Sequence, residues 1–137
     1  MKAIPITTDA LVLRADFSDP SAWESVQAEV RAPAEFQAHV EFVSDPEFDG
    51  ARVPDLLASI PDDRELYPHS FLFVVDRTTV EQSEHPVLVV DLSDERGRCF
   101  RIVPSEMWGV ENNLSISNMD FAEFADAVDS DGVFRGF

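Results

Sequence analysis

Two apolar runs in the middle of the chain constrain the fold more than anything else in it. Ser70-Phe71-Leu72-Phe73-Val74-Val75 and Pro86-Val87-Leu88-Val89-Val90-Asp91-Leu92 are dense in β-branched and aromatic residues. Each has the length and composition of a strand buried on both faces. The polar stretch between them, about ten residues, is too short for a crossover helix. The two strands are therefore expected to pair antiparallel. A turn at Asp94 to Gly97 leads into a further strand over 98–103, with Cys99, Arg101 and Val103 alternating against Arg98, Phe100 and Ile102. Upstream, Leu11-Val12-Leu13 marks a doubly buried strand over 10–16. Residues 38–43 read as another, with Val40 and Phe42 on one side and His39, Glu41 and Val43 on the other.

Helices fill the intervals. Asp19-Pro20 opens one: Asp19 caps, and Pro20 suits the first helical position because the N–H it lacks has no partner there. Trp23, Val26 and Val30 share its inner face. Pro54 to Ile60 reads as a short helix stopped by Pro61, and Ser105 to Leu114 contains a segment with Met107, Val110 and Leu114 on one side. Asp120 and Glu123 form a capping box for a last helix, with Met119 and Phe124 as its hydrophobic staple. The expected fold is α+β: a single-layer mixed, mostly antiparallel sheet of about five strands packed by two to four helices. Residues 1–137 form one domain, with 1–9 expected to be a flexible N-terminus.

Charge narrows function. The chain carries 27 Asp and Glu against 10 Lys and Arg, a formal net charge of -17. Nucleic-acid affinity depends on cations displacing counterions, so direct DNA or RNA binding is disfavoured. Anionic membranes are disfavoured by the same repulsion. Basic proteins are attracted. The acid is spread along the chain, lightest over 76–104 (net -2) and heaviest over 105–137 (net -6). The single cysteine, Cys99, allows no intrachain disulfide, and its place in an apolar run predicts a small buried hydrophobe. No apolar run is long enough to span a bilayer, and no cleavable leader is evident at the start, so the expected location is the cytoplasm.

Several residue groups are candidates for chemistry. Asp129-Ser130-Asp131-Gly132 resembles part of a calcium loop, but Ala127 stands where an acid is needed and no Glu follows at the required spacing. His39, His69 and His85 lack metal spacing, and no nucleophile elbow, phosphate loop or dinucleotide fingerprint is present. No metal or cofactor is therefore expected. Asp16, Asp76 and Asp91 each follow a predicted strand; Asp76 and Asp91 should emerge at opposite ends of the antiparallel pair. Arg96, Arg98 and Arg101, with Arg77 nearby, are the one basic concentration, able to hold an anion or to pair with local acids. Ser105 to Leu114 combines Trp108 with Glu106, Glu111, Asn112 and Asn113 beside Gly109, a composition common on recognition surfaces.

Three stretches carry a family resemblance: Phe71 to Thr79, His85 to Leu92, and Val103-Pro104-Ser105-Glu106-Met107-Trp108-Gly109-Val110-Glu111-Asn112-Asn113-Leu114-Ser115-Ile116. With Asn118-Met119-Asp120-Phe121 to Phe137, they resemble a family of small bacterial proteins, mainly from high-GC bacteria, known only as a domain of unknown function. The resemblance runs from Leu11 onward and implies a bacterial, cytosolic single domain. It brings no chemistry with it.

Two functional expectations follow. The first is a non-enzymatic module that binds a partner protein, plausibly a basic one, in the manner of an immunity protein or inhibitor. Glu106, Trp108, Asn112, Asn113 and Arg77 would form its binding residues. The second is a small ligand-binding protein or enzyme with a pocket near Asp76, Arg77, Asp91 and Glu106. Homodimerisation through Phe134 and Phe137 is compatible with both.

Overall fold

The computed structural model describes residues 1–137. Its sheet has six strands: β1 Ala10–Arg14, β2 Val40–Val43, β3 Phe71–Val75, β4 Val87–Asp91, β5 Cys99–Ile102 and β6 Val133–Phe134. Five helices accompany them: α1 Pro20–Arg31, α2 Val53–Ser59, α3 Arg77–Glu81, α4 Met107–Ser115 and α5 Phe121–Ala125. The strand order is β2-β1-β3-β4-β5-β6. The fold is α+β with a mixed sheet. β3 and β4 pair antiparallel, Phe71 opposite Asp91, and β4 pairs antiparallel with β5. The other three pairings, β1 with β2, β1 with β3 and β5 with β6, are parallel. The balance is thus less antiparallel than the sequence predicted, because β1 inserts between two strands that run its own way.

Both faces are covered, which explains the apolar runs. On β1, Leu11, Val12 and Leu13 are fully buried. Val12 joins Trp23, Val26 and Val30 of α1, Val110 and Leu114 of α4 and Phe121 and Phe124 of α5 in the larger core. Leu11 and Leu13 join Phe48, Leu56 of α2 and Tyr67 in the smaller one. Asp19 caps α1 as expected, accepting from Ala22 N at 3.1 Å. At α5, Glu123 accepts from Asp120 N at 2.7 Å.

Two expectations need correction. Residues 1–9 are tied down: Ile4 is buried in the smaller core, Tyr67 Oη donates to Pro5 O at 3.1 Å, and Thr7 N donates to His69 Nε2 at 3.1 Å. Cys99 is exposed. No β5 residue joins the smaller core, so Cys99 lies at the uncovered end of that side of the strand. After Gly132 the chain forms a sixth strand. Its two residues Val133 and Phe134 extend the sheet, and Phe134, only 2% exposed, is core. A dimer face on Phe134 and Phe137 therefore has only Phe137 to offer, which is 83% exposed. No helix is long and apolar enough to cross a membrane.

Candidate functional site

The strand directions place the carboxyl ends of β1, β2, β3, β5 and β6 at one edge of the sheet, beside the start of β4. The connection leaving β1 runs through α1 over the larger core, and the one leaving β2 runs through α2 over the smaller core. β1 and β3 are neighbours, so the winding reverses between them. In open sheets, a crevice at the carboxyl ends where connections part to opposite faces is the favoured place for a ligand.

A groove of about 660 Å³ lies at this point. Leu56, Val74 and Leu88 give it an apolar lining, and Asp16 and Asp76 follow the ends of β1 and β3. Its wall is pinned by backbone: Gly50 N donates to Ala15 O at 2.8 Å, and Ala15 N to Val75 O at 2.8 Å. Phe17 N donates to Asp49 Oδ1 at 3.1 Å. Gly50 sits at φ +81°, a conformation that favours glycine.

Asp76 organises the groove floor. It caps α3, accepting from Thr79 N at 3.2 Å. Arg101 reaches it from β5 with two bonds, Nη1 to Oδ1 at 2.9 Å and Nη2 to Oδ2 at 2.8 Å. Arg101 Nη1 also donates to Pro86 O at 3.1 Å. The buried Thr79 hydroxyl lies 3.0 Å from Asp76 Oδ1 and 2.9 Å from Pro86 O. Burial opposes ionisation of Asp76, but the Arg101 guanidinium and the Thr79 donors outweigh it and hold the carboxyl below the usual carboxylate range. Two further arginines border the groove. Arg77 gives Nε to Glu81 at 2.7 Å and leaves its Nη groups free. The Arg52 backbone N–H donates to Asp55 at 3.0 Å, while its guanidinium has no partner.

The α4 residues gather elsewhere. Trp108 packs on Phe36, ring centroids 5.5 Å apart at 40°, and Phe36 is exposed. Asn112 Nδ2 donates to Gln37 O at 3.0 Å and to Glu111 Oε1 at 2.9 Å, leaving its Oδ1 uncommitted. Asn113 is spent on the helix end: Nδ2 donates to Gly109 O at 2.7 Å, and Oδ1 accepts from Asn118 at 2.8 Å. Glu106 lies in the turn before α4, close against Gly136. Beneath this face sits Glu111, 3% exposed. It accepts from His39 N at 2.5 Å and from Ser115 Oγ at 2.7 Å, with His39 Nδ1 at 3.3 Å. One carboxylate thus ties the 36–39 segment to α4.

Neither of the two residue sets expected from the sequence gathers as a whole. Asp76 and Arg77 line the groove. Asp91 emerges at the opposite edge, as the antiparallel register requires, and closes a turn by accepting from Ser93 N and Glu95 N, both at 2.9 Å. Glu106 is in neither place, so the pocket of Asp76, Arg77, Asp91 and Glu106 does not form. The arginine concentration is dispersed as well. Arg96 donates to Leu57 O and Ile60 O at the end of α2, Arg98 pairs with Glu95 and Asp126, and Arg101 is held by Asp76. Asp129 and Asp131 both grip Arg135, each at 2.7 Å.

Two residues escaped the sequence reading, and the role of a third was not foreseen. Phe36 is a lone aromatic in a Pro-bounded loop and gives no periodic signal. Arg52 gives none either. Glu111 did leave a trace, since it falls on the Met107, Val110, Leu114 stripe where an acid is out of place.

No curated protein matches the chain. A family model does, that of DUF6924, a domain of unknown function, which covers residues 9–137, and the chain belongs to that family.

Proposed function

We propose that this chain is a non-catalytic binding domain for a basic partner protein, anchored at the Phe36–Trp108 face of α4. The carrying observation is how the two signs of charge are deployed. Twenty of the 27 acids are exposed but only five of the ten cations. Lys2, Arg77, Arg96, Arg98, Arg101 and Arg135 are also bridged to the protein's own carboxylates. The field that reaches solvent is negative, which steers and selects a cationic partner. An aromatic pair with one exposed ring, flanked by the exposed Glu35 and the free Asn112 Oδ1, supplies the local anchor that charge alone lacks. Phe36 is held in place by the Glu111 and Asn112 bonds, so little ordering is needed on binding. Arg77 lies in the groove and takes no part in this face. An immunity or inhibitor role, in which acids fill a cationic cleft on the partner, is the concrete form.

The test is capture of partners on immobilised protein at low and high salt, followed by titration of the identified partner against Trp108→Ala and Phe36→Ala. The expected partner is basic, is released by salt, and loses about thirtyfold in affinity, or ~2 kcal/mol, with either variant. A partner bound equally by both variants, or one indifferent to salt, overturns the reading.

A further inference from the structure

We propose that the groove at the carboxyl ends of β1 and β3 binds a small amphipathic organic anion, an apolar body carrying a carboxylate or phosphate head. Its placement at the reversal of winding makes it the part of the sheet best shaped for a ligand. Its volume of about 660 Å³ lies within the range of small-molecule sites. Three cations, Arg52, Arg77 and Arg101, line it, whereas the cavities at the opposite edge of the sheet have Arg64 alone. In a chain of net charge -17 with most of its cations bridged, that grouping is the exception.

The three arginines are not equivalent. Arg101 spends three of its five N–H groups on Asp76 and Pro86 O, and its charge is matched by Asp76, so it chiefly shapes the floor. Arg52 has no ion pair, and Arg77 has only its Nε engaged. Their free N–H groups match the paired oxygens of a carboxylate or phosphate. Ala51, Val53 and Leu88, the partly exposed apolar residues of the lining, would take the apolar body. Asp16 uses Oδ1 for Ser18 N and Oγ and keeps Oδ2 to accept from a ligand hydroxyl or amine. A bare inorganic anion would meet Asp16 and Asp76 without gaining the apolar contact, so the head needs its body. This site is separate from the Phe36–Trp108 face and stands or falls without it.

Anilinonaphthalene sulfonate, an amphipathic anion, is the first probe, and uncharged phenylnaphthylamine is its control. Fluorescence titration of the native protein should give one saturable site for the anion and much weaker binding of the neutral dye. Arg52→Ala and Arg77→Ala are surface changes that leave the core intact. Each should weaken the anion roughly tenfold, while Arg31→Ala, which removes an exposed cation elsewhere, should not. Decanoate and phenyl phosphate then compete for the dye, and whichever displaces it identifies the head group. Displacement by neither, equal binding of the two dyes, or equal losses in all three variants overturns the proposal. Amide shifts on dye binding should centre on Asp16, Gly50 to Val53 and Thr78, and shifts centred on α4 would likewise overturn it.

Discussion

The Asp76–Arg101 pair should carry a measurable share of the stability. Asp76→Asn keeps the side-chain shape and still accepts from Thr79 N, so the α3 cap survives while the charge is lost. Arg101→Met keeps the aliphatic stem. Breaking a fully buried pair by removing one partner costs about 3–5 kcal/mol. Here the side chains are 25% and 21% exposed, so water screens part of the uncompensated charge and each single change should cost ~2–3 kcal/mol. Arg101→Met also strips a bond from Pro86 O, which the Thr79 hydroxyl can take over at 2.9 Å. The double variant should recover ~1–2 kcal/mol of the summed losses, because neither charge is then left alone. Urea denaturation followed by tryptophan fluorescence gives all four corners of the cycle. The carboxyl is held below its ordinary range. Its stabilisation is therefore present at neutral pH and fades as pH drops through the depressed value. Total stability follows acid differently, because protonating the other carboxylates relieves repulsion in a chain of net charge -17; the coupling term removes that background. A coupling below ~0.5 kcal/mol at neutral pH, or one that persists unchanged in strong acid, would refute the account.

Glu111→Ala should cost ~2–4 kcal/mol and raise hydrogen exchange at His39 N first, since that amide loses its acceptor; a uniform rise across α1 and α4 would contradict this. Phe124→Ala should cost ~3–5 kcal/mol by thermal denaturation, since Phe124 is buried among Phe100, Phe134 and Phe137, whereas Phe137→Ala should cost under ~1 kcal/mol. Burial pushes the Tyr67 phenol up to about 12. The fold favours its protonated form, so stability should decline as pH rises beyond about 10, and Tyr67→Phe should flatten that decline.

Local chemistry in the sequence announced most of the elements. Caps at Asp19 and Asp120, the Trp23, Val26, Val30 stripe and the two central apolar runs all became what their residue types dictate. Strand order was hidden, because nothing in Leu11-Val12-Leu13 says which strands will flank it; that depends on α1 and α2 choosing opposite faces. β6 was hidden by its length, two residues being too few to show a period. The groove was only half legible. Asp76 and Arg77 could be placed at a strand end, but Arg52 belongs to the site only through a parallel pairing that brings Val12 beside Phe73. The α4 face was legible through Trp108, and its other ring, Phe36, arrives from a loop fixed by one buried carboxylate.

The parallel insertion of β1 also sets an order of assembly. β3, β4 and β5 are sequence neighbours joined by short connections, so they can zip together early at little entropic cost. β1 must wait for partners far along the chain: Ala10 lies opposite Val40, and Val12 opposite Phe73. Val89→Ala, in the meander, should therefore slow folding, whereas Val12→Ala should chiefly speed unfolding. Until β1 docks, the side of β3 it will cover is an unpaired edge, and that interval is when this otherwise self-repelling chain is most open to pairing with another copy.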